Sequence, residues 1–205
     1  MPSRRRSRAR RWLAASAPVV LLIAAGFCPS ETAAQTLADK IAACAACHGE
    51  SGQSPDPNVP SIGGQPKLFV MYQLFFYREG RRANPEMNTV TKDMSDAELT
   101  AISDYVAGLP PPPPAANEPI DEARYRSGAE LAGKRICGAC HNADFSGREQ
   151  MPRLAGQREA YLIRSFSAYQ AGARVGTQAA MAEAVRGLSA SELADLAYYL
   201  ARFRR

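Results

Sequence analysis

The sequence predicts an all-α protein made of two tandem helical domains. The second half of the 205-residue chain repeats the landmarks of the first half in the same order. Between the landmarks, apolar residues recur with the period of a helix, and no segment shows the alternation of a strand. A repeat of about 80 residues indicates two similar domains rather than a solenoid of short units.

The first 34 residues have the pattern of an export signal. Six arginines between Arg4 and Arg11 precede an apolar stretch from Trp12 to Phe27, and Thr32-Ala33-Ala34 offers small residues for cleavage. We therefore expect a signal peptide over residues 1–34, cleaved after Ala34. An uncleaved anchor is the alternative, although the apolar stretch is short for a membrane span. Cys28 could suggest a lipoprotein, but Phe27 stands directly before it, where a small residue is expected.

The leader accounts for the basic character of the chain. It holds six of the 25 Lys and Arg residues and one of the 20 Asp and Glu residues, so 19 of each remain after cleavage. Because the mature chain has equal numbers of basic and acidic residues, its charge gives no reason to expect a nucleic-acid-binding surface.

Four of the five cysteines and both histidines form two motifs of the same pattern. They are Cys44-Ala45-Ala46-Cys47-His48 and Cys137-Gly138-Ala139-Cys140-His141, and they contain the only two histidines of the chain. In a C-x-x-C-H motif the two thiols can add to the vinyl groups of one haem while the histidine ligates its iron. We predict two covalently bound haem c groups, held by Cys44 with Cys47 and by Cys140 with Cys137.

Other uses of these cysteines fit less well. Four cysteines in an exported chain could form two disulfides, but that leaves the histidine after each pair unexplained. A zinc site would have to gather its ligands into one tetrahedral cluster. A thioredoxin-like redox motif needs a βαβ context, which the pattern does not offer.

A methionine is the expected second axial ligand, since both histidines are already used and Met raises the reduction potential. Met87 and Met181 are equivalent in the repeat, lie 39 and 40 residues after His48 and His141, and each precede a helix-capping serine by eight residues. Met94 is the competitor in the first half, but its counterpart is Leu188, which suggests a core position.

The repeat also predicts the helices and the domain boundary. Ser95 and Ser189 each precede a Glu by three residues, the pattern of a capping box that opens a closing helix. Five consecutive prolines from Pro110 to Pro114 exclude a helix there. We therefore divide the mature chain into domains at 35–109 and 120–205, joined by a semi-rigid proline-rich linker at 110–119. An SH3-type ligand is the functional alternative for this linker.

Further helices are expected at Ala42–His48, Lys67–Glu79 and Glu159–Ala171. The closing helices are expected to bury one apolar residue set in each half. These sets are Leu99, Ile102, Tyr105 and Val106 in the first half, and Leu193, Leu196, Tyr199 and Leu200 in the second.

These features make the sequence resemble the class I cytochromes c and, over nearly the whole mature chain, the diheme cytochrome c4 family. The matching strings include Cys44-Ala45-Ala46-Cys47-His48-Gly49, the Gly-Gln pairs at 64–65 and 156–157, and Glu86-Met87. The resemblance implies two class I cytochrome c domains related by a pseudo-twofold axis, each wrapped around one haem. It also implies a soluble or membrane-associated periplasmic electron carrier that often feeds a terminal oxidase.

The resemblance implies roles for further residues. The carbonyl groups of Pro60 and Pro152 should accept the Nδ1–H of His48 and His141 and so orient each ring. Arg82 and Arg174 occupy the same Gly-x-Arg position in each repeat, and we expect them to pair with haem propionates. A solvated loop position is the alternative for these arginines.

We expect an electron carrier without catalytic activity, exchanging electrons with redox proteins such as a terminal oxidase or a quinol-oxidising complex. One alternative is a diheme subunit of a dehydrogenase complex that oxidises sulfide, thiosulfate or an alcohol. A diheme peroxidase is a third hypothesis, but it needs an open iron position, and the paired Met87 and Met181 argue against it.

Overall fold

The computed structural model describes residues 36–115, 119–174 and 179–204. The expected signal peptide, its cleavage site after Ala34 and Cys28 lie outside these residues. Helices and loops make up the described part, where the nearest thing to a strand is a single bridge between Arg148 and Met151. The all-α prediction is confirmed.

Residues 35–205 form one compact unit that contains two helical halves. The first half consists of α1 (Leu37–His48), α2 (Lys67–Arg78), α3 (Pro85–Thr91) and α4 (Asp96–Gly108). The second half consists of α5 (Glu122–Lys134), α6 (Cys137–His141), α7 (Glu159–Gln170), α8 (Ala179–Val185) and α9 (Ala190–Arg202). None of the described helices has the length and apolar character needed to cross a membrane.

Local capping fixes where the closing helices begin. The Ser95 hydroxyl accepts from the backbone N–H of Glu98, and the Glu98 carboxylate accepts from the backbone N–H of Ser95. Ser189 and Glu192 repeat this reciprocal pair at the start of α9. Each box satisfies two amides that the first turn of a helix leaves without partners, so both predicted capping boxes are confirmed.

Each half has its own apolar core around its closing helix. In the first half, Leu99, Ile102 and Val106 of α4 pack against α2 and Met94. In the second half, the α9 residues pack against α5 and α7 and against the loop residues Phe145 and Leu154. Burying each such leucine or isoleucine contributes about 1.5–3 kcal/mol to folding.

Tyr105 corrects one sequence-based expectation. Its side chain is 40 % exposed, whereas its counterpart Tyr199 is half-buried and packs edge-to-face on Tyr125 and Phe145. The difference arises because α5 lies directly on α9. A Cβ atom at Gly128 of α5 would overlap the backbone of Asp195, so the missing side chain permits this close approach. The shorter contact between α1 and α4 leaves Tyr105 uncovered.

The proline segment packs against both halves. Pro111 lies against Gly64 of the first half, while the carbonyl oxygens of Pro112 and Pro113 lie against Gly156 of the second. A Cβ atom at Gly156 would lie 2.6 Å from the Pro112 oxygen, so the linker and the turn fit only because a side chain is missing. This part of the linker therefore packs against both halves and is not a free spacer. We call the segment of Pro111, Pro112 and Pro113 the proline strap.

Candidate haem-binding sites

Both C-x-x-C-H motifs lie on helices that end at the histidine. Cys44, Cys47 and His48 occupy the last turns of α1, and Cys137, Cys140 and His141 span α6. Thiols at positions i and i+3 of a helix project from the same face. These four cysteines, the ones within the described residues, are free of disulfide bonds; Cys47 and Cys140 are exposed, while Cys44 and Cys137 are partly buried. Burial raises the pKa of the Cys44 and Cys137 thiols.

The chain leaves each helix immediately after the histidine through a residue with positive φ. Gly49 has φ 80° and Asn142 has φ 68°. Glycine adopts this conformation without a Cβ clash, and asparagine is among the few other residues that tolerate it. The Asn142 side chain secures its turn by donating to Ser146 Oγ at 2.9 Å and to the Gly147 carbonyl at 2.8 Å.

The loops that follow return a proline carbonyl to each histidine. His48 Nδ1 lies 2.8 Å from the Pro60 oxygen, and His141 Nδ1 lies 2.8 Å from the Pro152 oxygen, as expected. A carbonyl can only accept, so Nδ1 carries the hydrogen and Nε2 keeps its lone pair for a metal. Both rings are buried, and burial lowers the pKa of each histidine, although the bond to the proline carbonyl opposes this shift.

The two repeat-equivalent methionines occupy matching short helices. Met87 lies in α3, which Asn84 caps by accepting from the Met87 N–H at 2.8 Å, and Met181 lies in α8. Each is partly buried against the core of its own half, and Met181 shares that core with Cys137. Met94 and Leu188 are both buried core residues, 5 % and 6 % exposed, in agreement with the core position inferred for Met94.

Arginines collect where the two halves meet. Arg82 donates to Gln73 of its own half and, at 3.2 Å, to the Tyr161 hydroxyl of the other half. Arg174 donates to the same Gln73 oxygen at 3.3 Å. Each guanidinium also lies 4.6 Å from the ring centre of a tyrosine, Tyr77 for Arg82 and Tyr169 for Arg174.

This arginine cluster has positive charge that is not balanced locally. Among the described residues, neither of its two members, Arg82 and Arg174, forms an ion pair with a carboxylate. Burial alone would raise the pKa of Tyr161, but Arg82 and Arg174 outweigh it and lower that pKa to about 7. The positive charge of Arg82 and Arg174 therefore suits a ligand that carries anionic groups.

The residues present therefore fit a covalently attached haem in each half. The paired thiols match the two vinyl groups, the oriented imidazole offers Nε2 to iron, and the arginines suit the carboxylates of the propionates. The Gln73 and Tyr161 contacts to the arginines were not foreseen from the sequence. Gln73 corresponds to Ser165 and Tyr161 to Phe69, so the repeat gave no signal for either residue.

Comparisons with known proteins agree with this description. Residues 31–106 match the family model described as cytochrome c oxidase, cbb3-type, subunit III, and residues 125–203 match the model described as cytochrome c. Cytochrome c4 of Pseudomonas aeruginosa is 30 % identical over 171 residues, which cover 78 % of this chain and 84 % of the relative.

Two further proteins extend the comparison. The thiosulfate dehydrogenase electron acceptor of Thiomonas intermedia is 33 % identical over 144 residues, covering 66 % of each chain. The crystal structure of reduced recombinant cytochrome c4 from Pseudomonas stutzeri superposes with a TM-score of 0.74 at 26 % identity, covering 83 % of this chain and all of that one. The two cytochrome c domains, each built to carry one covalent haem c, place this chain in the cytochrome c4 family of diheme electron-transfer proteins.

Proposed function

We propose that this protein is a dedicated periplasmic electron carrier in which both irons have one histidine and one methionine ligand. His48 and Met87 serve the first haem, and His141 and Met181 serve the second. Cys44 with Cys47 and Cys137 with Cys140 supply the thioether bonds. The observation that carries this proposal is the same 2.8 Å contact from Nδ1 of each histidine to a proline carbonyl, which leaves Nε2 free to ligate iron in both halves.

The haem supplies the one-electron Fe(III)/Fe(II) couple, and the protein controls its surroundings. The proline carbonyls orient the imidazoles and make them more electron-rich. The cores of the two halves exclude water, and the arginine cluster is placed to neutralise the propionates. An iron with two protein ligands has no open position for a substrate, which supports transfer of electrons rather than catalysis.

The identity of the redox partner rests on less than the haem ligation does. A terminal oxidase or a quinol-oxidising complex suits a general respiratory carrier. A second candidate is the electron acceptor of a thiosulfate-oxidising dehydrogenase, which the printed name of the Thiomonas intermedia relative favours. In both roles the protein receives and delivers single electrons, so the fold does not decide between them.

Stopped-flow spectroscopy separates these roles. The oxidised holoprotein would be mixed with a thiosulfate dehydrogenase and thiosulfate, and the reduced holoprotein with a terminal oxidase. Rapid reduction in the first experiment supports the dehydrogenase acceptor, while rapid oxidation in the second supports the respiratory carrier. Slow transfer in both would contradict both partner assignments without affecting the haem ligation.

Export is proposed from the pattern of residues 1–34. The intact mass of the protein recovered from the periplasm should correspond to a chain that starts at Gln35 and carries two haems. A mass that retains residues 1–34 would instead support the uncleaved anchor.

A further inference from the structure

Each half of the molecule holds a backbone segment of the other half with one buried glutamine. Gln157 Oε1 accepts from the Ser61 N–H at 2.8 Å, and Gln157 Nε2 donates to the Ser61 carbonyl at 2.8 Å. Gln65 repeats this arrangement on Arg153, with distances of 3.0 and 3.1 Å. Both glutamines are 4 % exposed. The amide orientations are fixed, because only the oxygen can accept from the N–H group.

The glutamine contacts fall on the peptide units that orient the histidines. The carbonyl of Pro60 and the N–H of Ser61 belong to one planar peptide group. This group accepts from His48 Nδ1–H at one end and donates to Gln157 Oε1 at the other. The Pro152–Arg153 peptide group joins His141 to Gln65 in the same way. Hydrogen bonds in such chains polarise and strengthen one another.

We propose that Gln157 and Gln65 are positioning residues that tune the haems across the domain interface. Gln157, from the second half, acts on His48 of the first, and Gln65, from the first half, acts on His141 of the second. This inference rests on the proposed use of both histidines as iron ligands. It assigns each glutamine to the haem of the opposite half.

The direction of the effect follows from the polarity of the peptide group. A bond from the Ser61 N–H to Gln157 increases the negative charge on the Pro60 oxygen and strengthens its bond to His48 Nδ1–H. The imidazole then donates more electron density to iron, which favours Fe(III) and lowers the reduction potential. Loss of either glutamine amide therefore raises the potential of the haem in the other half.

The linker holds both glutamines in place. Gly64 and Gly156, which directly precede Gln65 and Gln157, are the residues against which the proline strap packs. The backbone N–H of Arg158 also donates to Gln157 Oε1 at 2.9 Å, which further fixes that amide. Because the Gln157 contacts are shorter than those of Gln65, we expect the larger effect at His48.

The test uses the full diheme protein with Gln157→Met or Gln65→Met, since methionine keeps the length of the side chain but cannot bridge the peptide group. The readouts are the Nδ1–H proton resonances of His48 and His141 in the reduced, diamagnetic protein and the two reduction potentials. Gln157→Met should move the His48 resonance upfield, speed its exchange with water and leave His141 unchanged. The reduction equilibrium of the first haem should shift toward Fe(II), by less than the roughly 10–100-fold that loss of a direct outer-shell partner costs in metal affinity or activity. Gln65→Met should do the same to His141 and the second haem.

Asn58→Ala is the matched control. Asn58 Oδ1 accepts from Arg164 Nη1 of the other half at 2.7 Å. This change therefore removes a neutral amide from the same interface but leaves both glutamine-bound peptide groups, Pro60–Ser61 and Pro152–Arg153, intact. Neither histidine resonance should move. If Gln157→Met fails to load haem, Gln157→Asn withdraws the amide by one methylene and should produce the same shift at His48.

A shift at the histidine of the variant's own half, equal shifts at both histidines, or no shift at either would overturn the proposal. Failure of the histidine ligation itself would look different. It would show in the wild-type protein, where the resonances of the ligated imidazoles would already be missing.

Discussion

His48 Nδ1 lies 2.8 Å from the carbonyl oxygen of Pro60, and His141 Nδ1 lies the same distance from that of Pro152. The first loop spans 12 residues and the second spans 11, yet both deliver the carbonyl to the same atom. The two halves thus retain this contact although their loops differ in sequence and length. Such a contact fixes the ring orientation and the tautomer of a metal-binding histidine.

Replacing one histidine should remove one haem from the protein. His48→Ala takes away both the proposed iron ligand and the group that anchors the Pro60 loop, so we expect about one haem per chain and unfolding of the first half. A helical domain of about 80 residues depends on the haem to complete its core. Covalent haem per chain and helical circular dichroism measure the effect. His141→Ala should give the mirror result, and two intact low-spin haems in either variant would contradict the ligand assignment.

Replacing one proposed axial methionine should change one haem without detaching it. Met87→Ala should remove the contribution of the first haem to the far-red ferric band, leave that of the second haem, and lower the potential of the first haem within the range of about 0.8 V that axial ligands span. Met181→Ala should do this to the second haem. Both variants should retain two covalent haems, because the cysteines are untouched.

Met94→Leu is the control for the methionine series. Met94 is 5 % exposed in the first core, so a side chain of similar volume should cost less than about 1.5 kcal/mol and leave the far-red band intact. A reduced far-red band in Met94→Leu, together with the full band of both haems in Met87→Ala, would transfer the ligand role to Met94.

Arg82 and Arg81 offer a matched pair of charge removals. Arg82 is partly buried with the arginine cluster, whereas Arg81 is exposed beside it. If Arg82 pairs with a propionate, Arg82→Gln should favour Fe(III) and lower one reduction potential by roughly 60 mV, about a tenfold change in the equilibrium. Arg81→Gln should have a much smaller effect, since water and salt screen its charge. Equal shifts in a redox titration of the two variants would contradict the propionate pairing.

The contact between Lys40 and Glu98 predicts a pH dependence of stability. Lys40 Nζ of α1 lies 2.7 Å from Glu98 Oε1 of α4, so this pair joins the helix of the first haem motif to the closing helix. The hydrogen bond from Lys40, with those from Ser95, lowers the pKa of Glu98 from 4.5 to about 2. A carboxylate with a lowered pKa stabilises the fold above the unfolded pKa, and its contribution is lost as the pH falls from about 4.5 toward 2.

Glu98→Gln should therefore lower the urea midpoint at neutral pH and converge with the wild type near pH 2. The effect should be small, because solvent screens the pair. Glu192→Gln is the control, since Glu192 caps α9 in the same way but forms no ion pair among the described residues; Arg135 and Lys134 act on it only through longer-range electrostatics. If Glu192→Gln lowered the urea midpoint more than Glu98→Gln does, the result would contradict a stabilising role for the pair of Lys40 and Glu98.

Local features of this fold could be predicted from the sequence. Ser95 with Glu98 and Ser189 with Glu192 mark helix starts because a capping box involves only neighbouring residues. The proline contacts of both histidines also followed from a resemblance between motifs. Features that depend on packing between segments could not be predicted in this way. Tyr105 and Tyr199 are equivalent in the repeat, yet only Tyr199 is covered, because α5 approaches α9 at Gly128.

Contacts between the halves were the main features that the sequence did not reveal. Gln65 and Gln157 stood out as repeated landmarks, but their partners, Arg153 and Ser61, lie 88 and 96 residues away in the chain. The repeat implied equal roles for the two glutamines without indicating that each acts on the opposite half. The contacts of Arg82 and Arg174 between the halves were equally hidden, since Gln73 and Tyr161 correspond to Ser165 and Phe69, which differ from them in chemistry.

The central claim is that both haems are closed electron-transfer centres with histidine and methionine ligands. The visible spectrum of the holoprotein, made with its export signal and a haem-attachment system, tests this claim most directly. We predict two covalent haems per chain, a far-red methionine band for both ferric irons, and little binding of carbon monoxide to either ferrous iron. One haem that lacks the band and readily binds carbon monoxide would contradict the claim and would indicate a ligand-accessible iron.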